Sequence, residues 1–163
     1  MDKMIDAESS GRLISYFKNL LEFYQKFLKL EQEKQEYLKQ NKLDRLDECI
    51  KREQAFILKA RGLELERMEL LRKVQYPNAK FRELIPEFPS ESREQAKNLY
   101  DSLSSVLTDM KKTNKENQLL TERKLRKASV VLEKLKGHPE LQKIYNEKTR
   151  NKNQFPVLLS KKI

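Results

Sequence analysis

Three long stretches of the sequence repeat apolar residues every three or four positions, the spacing that places side chains on one face of an α-helix. The repeat covers about residues 11–40, 43–75 and 92–136. The chain has five prolines, and none of them falls inside a repeat. We therefore predict an all-α fold: an antiparallel, coiled-coil-like bundle of three long helices, followed by a short C-terminal helix and a flexible tail.

Interruptions of the repeat predict where the helices begin and end. Asn41 suits a tight turn between the first two helices, which makes them a hairpin. Residues 76–89 hold three prolines among large apolar residues, which predicts a connector packed against the end of the bundle rather than a flexible linker. Gly137 suits the end of the third helix. We assign residues 1–137 to the bundle and residues 138–163 to a short helix and a basic tail.

The net charge of +10 is concentrated near the C-terminal end. Residues 1–110 contain 20 Lys or Arg and 20 Asp or Glu, whereas residues 111–163 contain 15 and 5. The first two-thirds of the chain are therefore neutral. A local excess of this kind indicates a surface that faces either an acidic partner or water.

The residues that usually perform catalysis are scarce. The chain has one histidine, one cysteine and three widely separated glycines, so it can form neither a phosphate-binding loop nor a standard metal-ligand cluster. His138 lies between a glycine and a proline, the setting of an exposed loop residue. Cys49 suits a small apolar position in the core. We predict that the protein is not an enzyme and that it binds no cofactor and no metal.

Two features of the sequence bear on its compartment. Residues 1–12 contain no apolar segment of the kind found in secretory signals, and no uncharged stretch approaches the ~20 residues that a membrane span needs. A single cysteine cannot form an internal disulfide, which fits a reducing compartment. We expect a cytoplasmic protein without membrane insertion.

Basic residues on the third helix leave a second function open. Arg123, Lys124, Arg126 and Lys127 could neutralise phosphates, but no base-reading or stacking motif accompanies them. Specific nucleic-acid binding is therefore not expected. The alternative function is that of a structural or nucleic-acid-associated basic coiled coil.

The predicted lengths of the helices differ. At 1.5 Å per residue the first two helices measure about 45 Å and the third about 68 Å, so the third should extend past its partners. Its C-terminal part keeps an apolar stripe, which could bind a helix of another protein. Alternatively, residues 139–149 fold back and cover the stripe. Asn114 and Asn117 lie on or beside this stripe, where they are either buried or at its edge.

Three groups of residues resemble the FlgN family of flagellar export chaperones. The second helix contains Lys51-Arg52-Glu53-Gln54-Ala55 and later Leu65-Glu66-Arg67. The third contains Asn114-Lys115-Glu116-Asn117 followed by Leu119-Leu120. Beyond Gly137, Tyr145 resembles the aromatic residue that follows the family's last long helix. The resemblance covers most of the chain, from about Leu13 to Tyr145, with helix order and lengths also in agreement.

The resemblance implies a function in flagellar assembly. A chaperone of this family would bind the C-terminal helices of the first and third hook-associated proteins, which form the hook-filament junction, and would deliver them to the cytoplasmic domain of the export gate. The organism, the clients of this particular chain and its oligomeric state stay undetermined by the sequence, and a homodimer is left open.

The expected sites follow from the stripe and from the tail. The predicted client-binding residues are Leu107, Met110, Asn114, Asn117, Leu120, Ala128, Val131, Leu132 and Leu135. For docking to the export gate we expect Tyr145, which the resemblance favours, together with Phe155 and Leu158 of the apolar cluster in the tail.

Overall fold

The structure, a computed structural model of the chain, describes residues 4–140 and 143–144. Its main elements are α1 (Ala7–Gln40), α2 (Leu43–Lys73), α3 (Phe81–Leu84), a 3-10 turn (Ile85–Glu87) and α4 (Ser90–Lys134). No strand occurs within the described part of the chain. The predicted all-α fold with three long helices is confirmed.

Local chemistry explains where the first helix begins and ends. Asp6 caps α1 by accepting a hydrogen bond of 2.7 Å from the backbone N–H of Ser9, so the helix starts earlier than its apolar pattern predicts. Asn41 adopts a left-handed conformation with φ of 54° and stops the helix. Asparagine tolerates this conformation better than most residues. Leu43 then begins α2, which completes the predicted hairpin.

The connector between α2 and α4 packs against the base of the bundle, as predicted. Phe81, Leu84 and Phe88 are all buried. The ring of Phe81 stacks on Phe17 of α1 with 3.6 Å between the ring centroids. The connector also holds the start of the chain, because the backbone N–H of Ile5 donates to the carbonyl of Glu87 at 2.9 Å.

The three long helices run up, down and up. The hydroxyls of Ser10 and Ser92 share a hydrogen bond of 2.9 Å near the start of α1 and α4, and Lys124 Nζ donates to Asn41 Oδ1 near the end of α1. These two contacts show that α1 and α4 are parallel and begin at the same level. Helix α1 packs along both α2 and α4, whereas α2 and α4 make little contact with each other.

An aromatic core fills the base of this arrangement. Its buried residues come from all three long helices, from the connector and from the segment before α1: Ile5, Leu13, Ile14, Tyr16, Phe17, Leu20, Phe23, Tyr24, Phe27, Ala60, Leu71, Phe81, Leu84, Phe88, Ala96, Leu99, Leu103, Leu107 and Met110. Four further apolar residues, Leu30, Leu38, Leu46 and Cys49, are buried outside this cluster, towards the turn at Asn41. The core is therefore widest at the base and thins towards the turn.

Part of the predicted C-terminal region lies outside the residues that the structure describes. Of residues 141–163, only Lys143 and Ile144 are described, as helical and exposed. Tyr145, Phe155 and Leu158, expected to dock to the export gate, lie outside the described residues. The division of the chain at residue 137 stays a prediction.

Candidate functional site

Helix α4 extends past the other two helices. Lys124 is level with Asn41, where α1 has ended, and α4 continues to Lys134. The additional ten residues or so correspond to ~15 Å of helix. We call residues 125–135 the overhang. The expectation that the third helix outruns its partners is confirmed.

The predicted client-binding stripe divides into two parts. Leu107, Met110 and Asn117 are buried where α4 packs against α1, so this part of the stripe is covered by the chain's own helices. Of the other predicted residues, Val131 is 37% exposed. The remaining members are partly exposed: Asn114, Leu120, Ala128, Leu132 and Leu135.

The overhang keeps the helical phase of the buried face below it. Ala128, Leu132 and Leu135 follow Leu107 and Met110 at the spacing of a single helix face. Helix α1 ends at Gln40, and Asn41 beyond it contacts Lys124, just before the overhang begins. The alternative, in which residues 139–149 cover the stripe, stays untested because Leu141, Gln142 and residues 145–149 lie outside the described range.

Positive charge surrounds this surface. Arg123, Arg126 and Lys127 are exposed at the lower end of the overhang. Lys134 and Lys136 are exposed at its upper end, where Lys136 pairs with Glu133 at 3.0 Å. An apolar stripe with a basic rim is suited to bind an amphipathic helix that carries acidic residues beside its apolar face.

A layer of buried polar side chains lies just below the overhang. Lys34 Nζ of α1 donates to both carboxylate oxygens of Glu53 of α2, at 2.8 and 2.9 Å. Asn117 Nδ2 of α4 donates to the backbone carbonyl of Glu31 at 3.0 Å. All four residues are at most 1% exposed. We call Glu31, Lys34, Glu53 and Asn117 the polar layer.

Glu31 has the most unusual environment in the polar layer. Burial and the neighbouring carboxylate of Glu53 raise its pKa to about 9, although the positive charge of Lys34 opposes the shift. The protonated carboxyl of Glu31 shares a hydrogen bond with the carboxylate of Glu53. Oδ1 of Asn114 and Oδ1 of Asn117 are buried without a hydrogen-bond partner within the described structure. A buried polar atom without a partner costs about 1–3 kcal/mol, so the layer weakens the packing at this level.

The sequence contained a signal for this layer that composition alone does not reveal. Glu31 and Lys34 continue the repeat of Phe27 and Leu38 at positions that otherwise hold core residues. A charged side chain at a core position of a helical repeat indicates a buried polar contact. Neither residue was among the predicted site residues.

The environment of Cys49 is unsuited to nucleophilic chemistry. Cys49 is 1% exposed, and burial raises the pKa of its thiol to about 11. A buried, protonated thiol is a poor nucleophile. Within the described ranges, no three or more His, Cys, Asp or Glu side chains are grouped so that they could hold a metal ion.

A comparison with models of protein families identifies the family of this chain. The family model described as FlgN protein matches residues 4–153, most of the chain. The chain belongs to the FlgN family. This confirms the resemblance stated from the sequence. FlgN proteins are flagellar export chaperones, and this function in flagellum assembly holds for the chain in general terms. No curated protein and no solved structure matched the chain.

The FlgN-like motif residues join the helices in this structure. Glu53, from the first motif, forms the buried pair with Lys34. Arg67, from the second, pairs with Glu64 at 3.1 Å and donates to the carbonyl of Ala79 at 3.4 Å, which links α2 to the connector. Asn117, from the third, links α4 to α1. Three of the residues that carried the resemblance thus link neighbouring elements of the fold.

A second exposed apolar row was missed by the sequence analysis. Leu58, Leu65 and Met68 lie on the side of α2 that faces away from α1, and each is more than half exposed.

No described helix combines the length and the apolar character that a membrane span requires.

Proposed function

We propose that this chain acts in the bacterial cytoplasm as a flagellar export chaperone that holds a C-terminal helix of a hook-associated protein against the overhang of α4. The observation that carries the proposal is the continuation of the core-facing stripe past the end of α1. A client helix bound to Ala128, Leu132 and Leu135 would extend the packing that α1 provides below. The family favours the first and third hook-associated proteins as clients.

Mutation of the overhang tests this proposal. Replacing Leu132 by Asp removes apolar contact worth ~1.5–3 kcal/mol when buried and adds a desolvation cost. We expect the affinity for a C-terminal client peptide to fall at least about tenfold, measured by isothermal titration calorimetry. Ser129→Asp is the matched control, because Ser129 is exposed on the same turn and receives the same charge. Unchanged affinity in a still-helical Leu132→Asp protein would remove this surface from consideration.

We further propose that residues 138–163 deliver the loaded chaperone to the cytoplasmic domain of the export gate. The excess of basic residues after Met110 supports an acidic acceptor. Tyr145, Phe155 and Leu158 are the expected apolar anchors, and so short an apolar set suits a segment that binds a groove on its partner.

Truncation after Gly137 and the substitution Tyr145→Ala test this division of roles. We expect both to leave the affinity for the client peptide nearly unchanged and to weaken binding of the purified gate domain. Glu140→Ala serves as the control in the same segment, since Glu140 is exposed and is not one of its basic residues. Loss of client binding with intact gate binding after truncation would place this segment in the client site instead.

A further inference from the structure

We propose that the end of the α1–α2 hairpin, residues 31–53, detaches from α4 at the polar layer and so lengthens the client-binding stripe down to Asn114. We call residues 31–53 the distal hairpin. This inference rests on the proposed function of the overhang and concerns how that surface is enlarged.

Buried apolar residues are fewer beyond the polar layer, towards the turn at Asn41, than below it. Below it lies the continuous aromatic cluster that ends near Phe27 and Met110. Within the distal hairpin, the buried apolar residues are Leu38, Leu46 and Cys49, and none of them belongs to that cluster. Regions with few buried apolar contacts open locally at lower free energy than the core does. The distal hairpin is therefore the weaker end of the bundle.

The polar contacts hold the hairpin together more firmly than they hold it to α4. Within the hairpin, the Lys34–Glu53 pair is buried and Arg52 pairs with Glu33 at 3.1 Å. Contacts to α4 include hydrogen bonds from Gln35 to Glu116, from Asn117 to the Glu31 carbonyl and from Lys124 to Asn41. Water can replace these last contacts when the surfaces separate. The hairpin can thus move as one unit.

Separation would also give partners to polar atoms that lack them in the closed bundle. Oδ1 of Asn114 and Oδ1 of Asn117 are buried without hydrogen bonds, and burial disfavours the charged form of the Glu31 carboxyl. Contact with water or with a polar group of a client would satisfy both amide oxygens and would solvate the carboxyl. The gain offsets part of the cost of exposing Leu38 and Leu46.

Opening would make the binding surface long enough for a stable helix pairing. The overhang alone offers about 15 Å, or roughly three helical turns. If opening also exposed the segment of α4 that begins at Asn114, the binding surface would be ~30 Å long. The polar atoms of Asn114 and Asn117 would then lie inside the client interface, where a buried amide selects the register and the partner.

Hydrogen exchange in the full chain tests the opening without any mutation. We expect the backbone amides of residues 31–53 and of residues 111–121 to exchange at least about tenfold faster than those of residues 13–27 at the base of α1. Addition of a client peptide should slow exchange at residues 111–121. Equal protection along the whole of α1 in the free chain would overturn the inference.

A pair of variants tests whether the polar layer is the cause. Glu31→Leu replaces the buried carboxyl by an apolar side chain and should slow exchange in the distal hairpin while weakening client binding about tenfold. Glu31→Gln keeps a polar group of the same shape and should resemble the natural chain in both measurements. Slower exchange with unchanged client affinity in Glu31→Leu would refute the inference.

Two results distinguish failure of this inference from failure of the proposed function. If Leu132→Asp leaves client binding intact, the overhang is not the client surface, whatever the polar layer does. If Leu132→Asp abolishes binding while Glu31→Leu leaves it unchanged, the overhang binds clients without any opening of the distal hairpin.

Discussion

Glu31 shows how a single residue can couple the stability of this bundle to proton binding. Its carboxyl is buried, and desolvation together with Glu53 raises its pKa to about 9, against the opposing charge of Lys34. In the unfolded chain a glutamate loses its proton near pH 4.5. Between these values the folded state binds a proton that the unfolded state has released. The contribution of Glu31 to stability is therefore greatest below about pH 4.5 and decreases as the pH rises towards 9.

We predict that Glu31→Gln removes this pH dependence, because the amide mimics the protonated carboxyl and does not titrate. Denaturant unfolding at pH 6 and pH 9 should show a larger loss of stability with pH in the natural chain than in the variant. The difference between the two chains isolates Glu31 from every other group. The same slope in both would mean that the carboxyl is ionised in the folded chain.

At the scale of the helix, the two faces of α2 contribute differently to the free energy of unfolding. Leu71 is 1% exposed against the base of α1, whereas Leu65 is 68% exposed on the opposite side. We predict that Leu71→Ala lowers the free energy of unfolding by about 2–5 kcal/mol, as expected for a large core residue. The matched substitution Leu65→Ala should change it by about 0.5 kcal/mol or less. Thermal or urea unfolding measures both, and comparable losses would show that the outer row of α2 is covered in solution.

The helices were predictable because their apolar repeats are long and contain no proline. The hairpin turn at Asn41 and the packed connector around Phe81 followed from the same local signals. The overhang could be inferred from lengths alone. Burial of Asn117 was left open, since periodicity places a residue on a face without saying whether a neighbouring helix reaches it. The Lys34–Glu53 pair was missed because it joins two helices, and a repeat within one helix carries no information about its partner.

At the scale of the whole molecule, the concentration of positive charge towards the C-terminal end determines how the protein binds nucleic acids. The net charge of +10 arises after Met110, without any aromatic platform or base-reading motif. We predict weak, sequence-independent binding to DNA and RNA that is lost by about 0.2 M salt. Fluorescence anisotropy with unrelated oligonucleotides of equal length can measure this. Tight binding to one sequence at that salt concentration would favour the nucleic-acid-associated coiled coil instead.

The backbone hydrogen bond from Ile5 to Glu87 places the first described residues at the base, beside the start of α4. Because α4 has 45 residues, the overhang forms the last ~15 Å of a helix that is ~68 Å long, at the other end of the molecule. A tether or fluorophore attached at the N-terminal end would therefore orient the molecule on a surface with its overhang directed into solution. Single-molecule force or energy-transfer experiments could then follow events at the far end without a label near the place where binding occurs.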